Sequence, residues 1–76
     1  MDDLLCKVKE AIQNISKGEA NIPMCFSDVG DQCPDIPIED ISKALYDLEK
    51  EGFIIKQNEI SYHGITTINM FTLSNK

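Results

Sequence analysis

The sequence predicts an α+β domain: three helices, a short strand between the first two, and a β-hairpin at the C-terminal end. Three observations lead to it. Two stretches repeat apolar residues at spacings of three and four, the C-terminal third turns to β-branched and aromatic types, and glycine or proline stands at the boundaries.

In the first stretch Leu4, Leu5, Val8, Ala11, Ile12 and Ile15 share one helix face, which predicts a helix over 3–17. Asp2 and Asp3 provide an N-cap or favourable first-turn charge, and Gly18 supplies a C-terminal stop. Ile22, Met24 and Phe26 then alternate around Pro23, a pattern suited to an edge strand. Ser27 resembles the N-cap of a short second helix with Asp28 and Asp31 in its first turn. Val29 and Cys33 would share its inner face, and Pro34 would end it. The third helix opens with Pro37 in its first turn and Asp35 or Ile36 at the cap. Its stripe is Ile38, Ile41, Ala44, Leu45 and Leu48, and Gly52 closes it. The β part begins at Phe53-Ile54-Ile55, turns at Tyr62-His63-Gly64 and returns over Ile65 to Leu73. Helices two and three are close enough in sequence for a helix-turn-helix. The element order is that of a winged helix, a single domain over residues 1–76 with the hairpin as its wing.

Composition narrows the class of function. Hydrophobic residues are 42% of the chain and charged residues 26%, as in a folded globular protein. No apolar run reaches the roughly 18 residues of a membrane span. The start Met1-Asp2-Asp3 is acidic where a secretory leader is basic, so the expected location is cytoplasmic and no membrane partner is expected. Cys6, Cys25 and Cys33 form no Cys-x-x-Cys pair, and the reading is buried, reduced thiols with no metal and no cofactor. One histidine and isolated glycines provide neither a nucleophile–base set nor a phosphate-cradling loop, so the expectation is no catalysis.

Charge bears on the partner. The net charge is −6, all seven basic residues are lysine, and residues 35–51 alone carry a net −4. A helix entering the major groove must approach phosphates, which this charge opposes.

Residues 41–54, Ile-Ser-Lys-Ala-Leu-Tyr-Asp-Leu-Glu-Lys-Glu-Gly-Phe-Ile, resemble the third helix and first wing strand of many winged-helix regulators. Met70-Phe71-Thr72-Leu73 resembles their returning strand. A narrower resemblance lies in Phe26-x-Asp28-x-x-Asp31-x-x-Pro34-Asp35, which is similar to a segment of the small dissimilatory sulfite reductase D proteins. It continues through Ile41, Lys43, Leu45 and Leu48 and reappears at Thr66-Thr67, Met70-Phe71 and Leu73. The resemblance implies a non-catalytic winged helix that accompanies a sulfite reductase, a family for which both DNA binding and stimulation of the reductase have been proposed. The chain departs from that family in a longer wing, Gln57 to Gly64, and in Ile38-Glu39-Asp40, where the family is more basic.

Two surfaces are the candidate sites. The first is the face of helix three bearing Glu39, Ser42, Lys43, Tyr46, Asp47 and Lys50. It would dock a protein partner such as a sulfite reductase; in the competing reading Lys43, Lys50 and Lys56 contact phosphate while Ser42, Tyr46 and Asn58 read bases. The second is the wing, with Lys56, Tyr62, His63, Ile68 and Met70. Tyr62 offers an aromatic ring with a hydroxyl handle, and His63 a group that titrates near neutrality. If Phe71 and Leu73 face the core, alternation turns Ile68 and Met70 outward beside Ile60 and Ile65. Those residues either form a partner or homodimer patch or pack beneath helix one or the short strand.

Overall fold

The computed structural model describes residues 3–62 and 64–74, without the side chain of Tyr62. Asp2 and His63 lie outside the described residues, as does the Tyr62 ring. The order is α1 (Asp3–Ser16), β1 (Met24–Cys25), α2 (Phe26–Gln32), α3 (Ile38–Glu51), β2 (Ile54–Tyr62) and β3 (Ile65–Leu73). The strands form one antiparallel sheet in the order β1-β3-β2, the α+β arrangement of a winged helix.

The helices follow their apolar stripes. Val8, Ala11 and Ile12 of α1 and Ile41, Ala44, Leu45 and Leu48 of α3 are buried against Val29, Phe71 and Ile54. Leu4, Leu5 and Ile15 pack on the edge of that core. Full burial of one such side chain is worth about 1.5–3 kcal/mol, so this cluster is the main source of stability. The end of α1 winds into left-handed backbone at Lys17 (φ 57°) and Gly18 (φ 77°), and the Gly18 amide donates to Gln13 at 3.1 Å. Gly52 ends α3 at φ 82°, and the Phe53 amide donates to Leu48 at 2.9 Å, closing a Schellman-type cap.

Several boundaries differ from expectation. The edge strand is only Met24–Cys25, paired with Phe71 and Met70, and Phe26 already belongs to α2. Cys25, not Ser27, is the N-cap: its amide donates to Asp28 Oδ2 at 3.2 Å, so the third helical residue supplies the capping acceptor. No residue separates β1 from α2. Cys33 lies just beyond α2 as its C-cap and is half-buried. Pro37 stands one position earlier than expected, at the N-cap of α3, where its carbonyl accepts from Asp40 and Ile41 at 3.0 Å each. Ile38, at the start of the α3 stripe, is 37% exposed. The cysteines are unpaired, but Cys6 is exposed and Cys25 and Cys33 are only partly covered, which corrects the expectation of buried thiols.

The hairpin contains two opposing bulges. Lys56 pairs with Phe71 and Asn58 with Met70, leaving Gln57 extra on β2; Glu59 then pairs with Ile68, leaving Asn69 extra on β3. The Met70 amide donates to the Asn58 side-chain oxygen at 3.2 Å across the disturbed stretch. The offsets cancel, so Tyr62 still pairs with Ile65, and Gly64 takes φ 84° beside them. No helix among the described residues is long and apolar enough to cross a membrane.

Candidate partner-binding surface

The outer face of α3 is built by its helical period. With Ile41, Ala44, Leu45 and Leu48 turned inward, Glu39, Asp40, Lys43, Asp47, Lys50 and Glu51 are left exposed. The exposed side chains carry four acids and two lysines. Ser42 does not belong with them: it is 6% exposed, buried on the flank of the stripe, and cannot act as a reader at the surface.

Tyr46 is committed within the fold. Its hydroxyl donates to Glu59 Oε2 at 2.6 Å, and Lys56 Nζ reaches the same oxygen at 3.2 Å. The triad ties the middle of α3 to β2. Partial burial, the hydrogen bond to Glu59 and the negative charges of Glu59 and Glu49 push the Tyr46 phenol up to about 12. The bonds from Tyr46 and Lys56 hold the Glu59 carboxyl below its ordinary value. Lys56, expected to present a free charge on the wing, is therefore half of an ion pair. Near the other end of α3, Lys9 lies 3.6 Å from Glu51 and 5.2 Å from the centre of the Phe53 ring.

Of the two readings of the last strand, the structure takes the packed one and not the exposed patch. Ile68 is 0% exposed and belongs to the main core, because the extra residue Asn69 resets the strand between Phe71 and Ile68. Met70 is half-buried between β1 and β2, pairing with Cys25 on one side and Asn58 on the other. Ile68 is thus removed from any partner or dimer surface, and Met70 has no apolar neighbour at 68 to extend it.

A concave surface that the sequence reading missed lies between the helix-turn-helix and the hairpin. It is a groove of about 400 Å³ lined mainly by Phe26 and Gly30 of α2, Ile36 of the turn, Ile38 and Ile41 of α3, and Ile60 of β2. Ser27, Asp31 and Pro34 line one side, and the bulged Asn69 completes the other. A methyl group at Gly30 would make only an ordinary contact with the Ile41 side chain, at 4.0 Å, so the wall would tolerate a small side chain there. The available signal was Ile36-Pro37-Ile38, two isoleucines flanking a proline where a polar turn is usual. A second cleft, about 210 Å³ and more polar, lies between α1 and the turn, lined by Lys7, Glu10, Asn14, Cys33 and Asp35 among others. Burial pushes the Cys33 thiol up against the opposing effect of Lys7.

Comparison with family models, with curated proteins and with solved structures returns no match to this chain. The functional reading therefore rests on the site's own chemistry.

Proposed function

We propose that this winged helix is a non-catalytic accessory protein that works by binding another protein. The observation that carries the reading is the acidic outer face of α3, on which Glu39, Asp40 and Asp47 surround Lys43 and Lys50, with Glu51 at its end paired to Lys9. In this fold α3 is the element available to enter a DNA groove, and that charge opposes the phosphate backbone. Lys56 adds little attraction for phosphate while Glu59 holds it. The choice of a reductase of sulfur metabolism as the partner rests solely on the sequence resemblance of residues 26–35 to dissimilatory sulfite reductase D proteins.

Co-purification from the native organism, followed by binding of the recovered protein to the purified chain, tests this function. A stable complex with a sulfur-metabolism enzyme is the expected result; recovery of no protein partner overturns the reading.

One observation favours a second reading. Lys43 and Lys50 are both exposed and lie two turns apart on one face of α3, a spacing that can track phosphates. That reading is a DNA-binding regulator. A mobility-shift titration with duplex DNA at low ionic strength separates the two, because phosphate contacts are strongest there. We expect no shifted band; a shift that salt removes would establish the regulator instead.

A further inference from the structure

The groove between α2, the turn, the start of α3 and the wing has the chemistry of a peptide site. Its floor is apolar, made by Phe26, Ile36, Ile38, Ile41 and Ile60. Ile38 is one of the few large apolar side chains standing open to solvent. A volume of about 150 Å³ already accommodates a benzene-sized group, so about 400 Å³ takes more than one large side chain. The Asn69 side of the groove is set by the β3 bulge, a device that commonly re-aims a side chain.

The rim identifies the partner. The stretch 27–41 that supplies most of the groove carries no lysine or arginine, and its charged lining residue is the exposed Asp31. Of the other acids in the stretch, Asp28 caps α2, Asp35 borders the neighbouring cleft, and Glu39 and Asp40 stand on the adjoining outer face of α3. A second copy of this chain, with its net charge of −6, would bring like charge to that rim. A nucleic acid would do the same. The complementary ligand is a segment with apolar anchors flanked by positive charges.

We propose that this groove binds a short lysine- or arginine-bearing segment of a partner protein, seating large aliphatic or aromatic side chains on Phe26, Ile38, Ile41 and Ile60 while its basic residues meet Asp31 and the surrounding acids of residues 27–41. The inference rests on the protein-binding reading and relocates its main contact from the outer face of α3 to the groove. In groove recognition the buried anchors supply most of the affinity and the charged rim supplies orientation and approach rate.

Three synthetic peptides test it against isoleucine-methyl-labelled protein. One carries leucine and phenylalanine anchors between lysines and arginines. A second keeps the anchors and replaces the bases with glutamate. The third keeps the bases and replaces the anchors with serine. The first peptide should shift the methyl signals of Ile36, Ile38, Ile41 and Ile60 and bind at least about tenfold more tightly than either control. Ile38→Glu alters an exposed side chain and should weaken that peptide by about tenfold or more. Asp31→Lys, also at an exposed position, should weaken it several-fold, whereas Asp47→Lys on the outer face should have little effect.

Equal binding of the glutamate peptide would show apolar adhesion alone and overturn the proposal, as equal binding of the serine peptide would show bulk charge alone. Absence of binding, or an unchanged affinity in both Ile38→Glu and Asp31→Lys, also overturns it. In a parallel backbone-amide spectrum, shifts confined to Lys43, Asp47 and Lys50 would overturn the groove while leaving the protein-binding function standing. Shifts of the groove isoleucine methyls on adding duplex DNA to the peptide-free protein would overturn both.

Discussion

The Tyr46 hydroxyl and the Glu59 carboxylate meet at 2.6 Å, joining the recognition-helix position of the fold to its wing. Lys56 closes on the same carboxylate oxygen, so the contact is a three-member polar clasp on the surface. It bridges α3 and the hairpin outside the core contact of Leu45 and Leu48 with Ile54 and Phe71, and the groove is formed between the start of that helix and the same hairpin.

The clasp has opposite pH limits. Tyr46 is raised from about 10 to about 12, so its contribution is fully present below the ordinary tyrosine value and is lost as pH climbs through the raised one. Glu59 is lowered, so its contribution is present above the ordinary carboxylate value and is lost as pH falls through the depressed one. Ultraviolet titration of tyrosinate should show one late step near 12, absent in Tyr46→Phe and moved to lower pH in Glu59→Gln. A Tyr46 that ionises at the ordinary value would show the clasp to be open in solution.

Burial at position 68 gives a quantitative contrast with position 55. Ile68→Val should cost about 0.5–1.5 kcal/mol and Ile68→Ala about 2–5 kcal/mol in urea unfolding. Ile55 is 47% exposed, and Ile55→Ala should stay within about 0.5 kcal/mol of the parent. Equal effects at the two sites would mean that the β3 bulge does not turn Ile68 inward.

Asn58 bridges the two bulges through the Met70 amide. Asn58→Ala should speed hydrogen exchange at that amide by roughly two- to tenfold, the effect of losing about 0.5–1.5 kcal/mol of hydrogen bonding. Exchange at Phe71, in the regular part of the ladder, should change less. Uniform acceleration along the whole hairpin would mean that Asn58 holds the entire wing and not its bulge.

Gly52 holds φ 82° at the end of α3, where a side chain is strained. Gly52→Ala should destabilise by about 1–2 kcal/mol, measured by thermal unfolding. A smaller loss would indicate that α3 ends by another route.

Helices α1 and α3 were legible because their apolar period runs over several turns, so single exceptions do not erase it. Gly18 and Gly52 marked the ends because left-handed backbone strongly favours glycine, although after α1 Lys17 already adopts it. The β1–α2 junction was not legible. Met24, Cys25 and Phe26 read as strand alternation, and only the reach of Asp28 back to the Cys25 amide shows where helix begins. The bulges were hidden as well. Gln57 and Asn69 are polar residues in a polar stretch, with no glycine to announce them, and an unseen extra residue inverts every inside–outside assignment beyond it. That is why alternation turned Ile68 outward. Ser42, Tyr46 and Lys56 were read as free surface for another reason: Ser42 sits on the flank of the α3 stripe, and Tyr46 and Lys56 find their partner, Glu59, only once α3 and β2 are packed together. The groove needed the tertiary fold, because its lining comes from four separate elements and the turn between two of them.

The direct passage from β1 into α2 has a mechanical result. Cys25 is both the last paired residue of the strand and the cap of the helix, so there is no slack between sheet and helix-turn-helix. Sliding β1 by one residue against Phe71 and Met70 would turn α2 by about 100°, the rotation per residue of an α-helix. Phe26, Gly30 and Asp31 would leave the groove together. The two-residue strand thus acts as a gear tooth: with Phe26 and Val29 seated in the core, its few hydrogen bonds hold the rotational phase of one whole wall.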